Sequence, residues 1–237
     1  MELGVVGAYA AAGAIAAGLS VALGRDPVAT TSWVGLSGAE SVVWSVVLGG
    51  VLGAATVLCS RILARRTSWA RALHTALRPA IRDLDGMTIA WMALASGIGE
   101  ELFFRGLLVP TIGITLSSVA FGLLHQVRGP ARWAWAAWAL AMGVLFALVF
   151  VITGSLAGAI VAHVAINGAN LRFIRDVDPE GLLARSADPK IAAWLRRSTS
   201  PGPPSASAAR TPLRSTRLAS SGSAGASAPP RGSRSSV

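Results

Sequence analysis

Long apolar stretches separated by arginine-bearing breaks constrain this chain more than any other feature, because roughly 20 consecutive apolar residues suffice for a helix to cross a bilayer. Six such stretches run over residues 4–24, 41–60, 87–110, 111–127, 133–154 and 155–171. With 53% hydrophobic and 14% charged residues among 237, and a mean hydropathy of +0.58, the chain is too apolar for a soluble domain. The expected fold class is all-α, a polytopic transmembrane helix bundle of about six spans with a disordered basic C-terminal tail. The first stretch is expected to be kept as a span and not cleaved as a signal peptide. No Lys or Arg precedes it, and its apolar run exceeds a usual signal core.

Orientation follows from the arginines. Arg61, Arg65, Arg66, Arg71, Arg78 and Arg82 lie between the second and third stretches, and Arg128 and Arg132 between the fourth and fifth. Cytoplasmic loops collect such residues, so both termini are expected inside, in what is expected to be the cell membrane. The turns near Pro110 and Gly154 then fall outside. Arg25 on the outer side is a local conflict outweighed by the six-arginine loop. The net charge of +10 does not argue for nucleic acid, because the basic residues sit in these breaks and in the tail.

The division expected is two N-terminal spans (1–60), a basic cytoplasmic loop (61–86), a four-helix core (87–172), a cytoplasmic segment (173–197) and a disordered tail (198–237). In the loop, Trp69, Leu73, Leu77 and Ile81 recur every fourth residue, which fits either a short interfacial helix or an ordinary basic loop. Pro79 is expected to disturb the last turn of any such helix. Trp133, Trp135 and Trp138 fit an interfacial anchor better than a ligand-binding role. The tail is mostly Ser, Ala, Pro, Gly and Arg, with no acidic residue and almost no large apolar side chain, a composition that cannot bury a core. It has two readings, attraction to anionic lipid and inert solvation.

Between Met87 and Leu171 the acidic residues are Glu100 and Glu101 and the histidines are His125 and His163. All four fall in apolar stretches, where an ionisable side chain costs on the order of 2.5–3.5 kcal/mol and so faces the bundle interior. A rise of ~1.5 Å per residue puts Glu101, His125 and His163 all roughly 14–20 Å below the outer turns, on three helices. Glu101 and Arg105 are four apart and share a helix face. Arg105 is expected to neutralise Glu101, leaving Glu100, about 100° around the helix, for another partner. Phe121 with His125, and His163 with Asn167, repeat the spacing of four. Cys59 is the single cysteine, so no intrachain disulfide or cysteine zinc site can form. The absence of H-E-x-x-H excludes a zincin-type site.

The segments Glu100-Glu101-Leu102-Phe103-Phe104-Arg105, Phe121-Gly122-Leu123-Leu124-His125 and His163-Val164-Ala165-Ile166-Asn167 resemble the three motifs of the CPBP family. That family joins CAAX proteases with bacteriocin-processing enzymes and is also called ABI. The resemblance covers about residues 86–171. It implies an intramembrane endopeptidase, related to the type II CAAX prenyl endopeptidases, acting on a membrane-anchored protein or peptide. By motif position, Glu100 with His125 would activate water, and His163 with Asn167 would bind the oxyanion or complete a metal site. Glu101 with Arg105, and Phe121, would shape the surroundings. Glu100, His125 and His163 would hold a divalent metal, zinc first, and the same groups without metal supply a general base and oxyanion donors. Two other functions use the same cluster: a non-catalytic membrane binding or immunity protein, and an ion-coupled transporter. Membrane lipids are expected partners, and nucleic acid is not.

Overall fold

The structure is a computed structural model that describes residues 2–178, with side-chain environments from residue 4. The expected tail, and residues 179–197 of the expected cytoplasmic segment, lie outside the described residues. The elements are α1 (Glu2–Ala22), α2 (Gly38–Arg66), α3 (Ser68–Ile81), α4 (Gly86–Glu101), a π-helical segment (Leu102–Leu108), α5 (Val109–Leu124), α6 (Arg132–Thr153) and α7 (Ala157–Asp176). No strand occurs among the described residues; one isolated antiparallel bridge pairs Ala29 with Ser155. The all-α membrane bundle is therefore observed.

Five helical segments are long and apolar enough to cross a membrane, against the six expected. The difference lies in the 39-residue segment Gly86–Leu124, which joins two of the expected spans. A straight helix of that length would extend ~58 Å, about twice a bilayer core. It does not run straight, because Gly113 adopts φ 82° and ψ 169°, a conformation that a side chain would strain. Beyond this reversal Ser117 Oγ donates to the Phe104 carbonyl at 2.9 Å, and the Phe104 and Phe121 rings meet at 4.8 Å. The chain thus folds back as expected, three residues after Pro110. The arm after Gly113 is ~16 Å long and is not a full span.

Small residues set how closely the helices pack. Ser41, Ser45, Gly49 and Gly53 recur every fourth residue of α2 and are buried. Gly49 lies against the backbone of Gly158 on α7, and Gly158 against that of Ser45, so a Cβ at either glycine would collide with backbone. Ser45 Oγ accepts from the Gly158 amide at 2.8 Å and donates to the Ser155 carbonyl at 2.7 Å, replacing solvent that lipid cannot supply. On the other side, Gly13 of α1 meets Gly99 of α4, and Ser20 Oγ donates to the Gly106 carbonyl at 3.2 Å. Arg25, the outer basic residue, donates to Thr111 Oγ1 at 2.8 Å.

The loop after α2 forms the helix that one of its two readings expected. In α3, Trp69, Leu73, Leu77 and Ile81 turn inward, joined by buried His74. Pro79 does not end the helix: Arg82 N still bonds the Arg78 carbonyl at 2.8 Å, because proline removes only its own N–H. The tryptophan reading needs correcting. Trp133 is 65% exposed, as an anchor should be, but Trp135 and Trp138 turn inward, Trp135 to 5.9 Å from His125 and Trp138 to 6.4 Å from Trp69. Their spacing sends Trp135 and Trp138 to a different helix face from Trp133.

Candidate active site

Three helices and the π-helical segment bring the sequence-predicted residues together. Glu100 and Glu101 end α4, Arg105 lies in the π-helical segment, His125 caps α5, and His163 and Asn167 lie on α7. Glu100 Oε2 is 3.6 Å from His125 Nε2 and 3.9 Å from His163 Nε2. Glu101 Oε1 is 2.7 Å from His163 Nδ1 and 2.8 Å from Arg105 Nη1. His163 is therefore held between both glutamates, one at each ring nitrogen.

The two carboxylates differ in their surroundings. Glu101 is fully buried and Arg105 is 1% exposed, each compensating the other's charge inside the bundle. Arg105 also donates through Nη2 to the Gly143 carbonyl at 3.2 Å and sits over the Phe121 and Phe146 rings at 4.4 and 5.2 Å. Phe146 stacks on His163 at 5.2 Å, and Phe121 lies 4.3 Å from the His125 ring. Glu100 instead lines two cavity lobes of about 300 and 430 Å³. Its Oε2, like Glu101 Oε2, is buried without a hydrogen-bond partner, but it is the one that faces two imidazole nitrogens.

Both imidazoles have their proton positions set by neighbours. His125 Nδ1 lies 2.8 Å from the Phe121 carbonyl, which only accepts, so the proton belongs on Nδ1 and Nε2 offers a lone pair. His163 Nδ1 donates to Glu101 in the same way. Two lone pairs thus face Glu100 Oε2, an arrangement that calls for a shared proton, a water or a cation among them.

That donor set suits a divalent metal in its chemistry. Yet among the described residues no three His, Cys, Asp or Glu side chains stand as a preassembled metal cluster. Tetrahedral donors at ~2.0–2.1 Å from zinc are about 3.3 Å apart. Glu100 Oε2 lies a few tenths of an ångström beyond that separation from each imidazole nitrogen.

Asn167 donates through Nδ2 to Ser96 Oγ at 2.9 Å and lines the same lobe as Glu100 and His163. Ser96 precedes Glu100 by four residues, so its place on that face was readable from spacing. Phe146, Trp135 and Tyr9 were missed as site residues. Phe146 and Trp135 carry no mark that separates them from packing aromatics, whereas Tyr9 is the chain's single tyrosine, a polar tip within an apolar span.

The class these features define is a polytopic membrane bundle with a glutamate and histidine pocket within the apolar helices. Residues 84–169 match the family model described as type II CAAX prenyl endopeptidase Rce1-like. That match supports the CPBP and CAAX protease family, and the five long apolar helices support an integral membrane protein. Searches of curated proteins and of solved structures give no match.

Proposed function

We propose that the protein hydrolyses a peptide bond of a membrane-anchored substrate, with Glu100 as the general base for an attacking water. The observation that carries this reading is Glu100 Oε2, a buried carboxylate oxygen without a hydrogen-bond partner, faced by two imidazole nitrogens and lining both lobes of the cavity. A water held by Glu100 and His125 Nε2 gives up a proton to the carboxylate as its oxygen bonds to the scissile carbonyl carbon. The proton then passes to the departing amine as the C–N bond breaks. Glu101 and Arg105 do not take part in proton transfer. They hold His163 and neutralise one another, the one role for which a purely structural reading suffices.

Glu100, His125 and His163 are the residues that would hold a metal. Bound there, zinc would polarise the scissile carbonyl and acidify water. Prenylated CAAX proteins are the substrate class that the family suggests, and other membrane-anchored peptides are the second class. The arginine-bearing loops support an orientation with both termini cytoplasmic and residence in the cell membrane.

The test is cleavage of a membrane-anchored peptide by detergent-purified protein, with metal content measured alongside. Glu100→Gln should lose cleavage by ~10²–10⁴-fold. Equal cleavage would remove Glu100 from the mechanism. Loss of partner binding together with folding at Glu100 and His125 would favour an immunity or sequestering protein instead.

A further inference from the structure

The face of α7 that meets α4 carries His163 and Asn167 one helical turn apart, and α4 answers each with a polar side chain of its own. The two helices run antiparallel: Ala93 lies against Gly168, Ser96 meets Asn167, Gly97 lies against Val164 and Glu101 meets His163. A Cβ at Gly97 would collide with Val164, so glycine sets the close approach that lets these side chains reach one another. Glu101 settles the proton position of His163. The second cross-link, from Ser96 to Asn167, performs the matching task for an amide.

A hydroxyl has one proton to give and lone pairs with which to accept. Ser96 Oγ gives its proton to the Ala93 carbonyl at 3.3 Å, an oxygen that can only accept. What Ser96 then presents to α7 is a lone pair. Asn167 must turn its amino group toward that lone pair and its Oδ1 away, and Nδ2 stands 2.9 Å from Ser96 Oγ. The two N–H bonds of a planar amide diverge at a fixed angle, so holding one on Ser96 fixes where the other points. Ser96 is buried, whereas Asn167 borders the lobe that Glu100, His125 and His163 also line. Among the described residues the bond to Ser96 is the one hydrogen bond of the Asn167 side chain, which leaves its second amide proton for whatever occupies the lobe. Without the hydroxyl, the last side-chain torsion of asparagine has broad freedom, and Oδ1, which repels negative charge, can take the place of the N–H.

We infer that Ser96 is a positioning residue for hydrolysis, orienting Asn167 so that its second amide proton is donated to the oxyanion formed at the scissile carbonyl. The inference rests on the hydrolytic reading above. Ser96 lies outside the three motif segments, 100–105, 121–125 and 163–167, so the resemblance assigns it no role. As the water oxygen bonds to carbon, the carbonyl π pair moves to oxygen, and Asn167 Nδ2 donates to that charge without giving up its proton. When the pair re-forms the carbonyl, the C–N bond breaks and the amine leaves with the proton that Glu100 had taken. The charge exists only during the reaction, so a misdirected amide slows turnover and leaves substrate binding alone.

The experiment measures kcat and KM on a membrane-anchored peptide for wild type, Ser96→Ala, Asn167→Ala and the double variant. Asn167→Ala should lower kcat on the order of 10²–10³-fold, the loss typical of one oxyanion donor. Ser96→Ala should lower kcat by about 10–100-fold, the usual cost of losing a group that orients a site residue, with KM within about twofold. In the Asn167→Ala background the same change should lower kcat no further, because Ser96 acts through the amide alone. Ser96→Cys keeps the volume and is only a weak acceptor, and it replaces Ser96→Ala in both backgrounds if that protein fails to fold. Equal losses with and without Asn167 would show that Ser96 merely supports α4, and overturn the inference. An unchanged kcat in the Ser96 variant overturns it as well, and both results leave hydrolysis standing. A wild type that cleaves no membrane-anchored peptide overturns hydrolysis and the role of Ser96 together.

Discussion

At the scale of single residues, the two adjacent glutamates are separated by what surrounds them. Glu101 is enclosed with Arg105, and removing one partner leaves a buried charge unpaired, which typically costs ~3–5 kcal/mol. Glu101→Gln should therefore lower the thermal midpoint in detergent by much more than Glu100→Gln, whose carboxylate borders the cavity. If Glu100→Gln is the more destabilised of the two, the division into lock and base is wrong. A smaller residue effect belongs to Asp85, whose Oδ1 accepts from the Met87 and Thr88 amides at 2.8 Å and caps α4. Those bonds, with the Thr88 hydroxyl, hold its carboxyl below the usual range. Asp85→Ala should lower the thermal midpoint slightly, without affecting cleavage.

At the scale of elements, the contact between α2 and α7 is set by glycine. Gly158→Val would drive a side chain into the Ser45 backbone, and relief requires the helices to separate. Because α7 carries His163 and Asn167, this substitution should lower the unfolding midpoint and cleavage together, whereas Gly50→Ala, in open surroundings on the same helix α2, should alter neither. The docking of α3 should depend on pH. His74 is 3% exposed and its Nε2 meets the Val177 carbonyl at 2.8 Å. Burial pushes its pKa below the ordinary 6.5, the Val177 bond opposing and Arg78 reinforcing the shift. A lowered histidine pKa means that the undocked helix binds protons more readily. Docking is thus at full strength above the ordinary value and weakens as pH falls below it. Trp69 lies 6.4 Å from Trp138, so tryptophan fluorescence from pH 8 to 5 reads the change; a flat response would show that His74 does not report docking.

At the scale of the whole molecule, apolar stretches and the arginines between them are both legible one residue at a time, since each needs only length and composition. The expectation of an all-α membrane bundle followed from them, as did the ionisable residues whose cost in lipid demanded an inward face. The common depth expected for Glu101, His125 and His163 rested on helical rise alone. Orientation belongs at this scale too: reporter fusions after Asp178 should be active on the cytoplasmic side, and periplasmic or lumenal activity would reverse the assigned topology. What remained hidden were relations between segments distant in the chain. No local pattern told that Trp135 would face His125, or that Gly99 would seat Tyr9 beside Glu100. Composition determined the solvent this chain folds in and which side chains must be hidden from it. Which of those side chains touch was decided only by helix packing, because contact depends on how closely backbones approach, and that is set jointly by small residues on both partners.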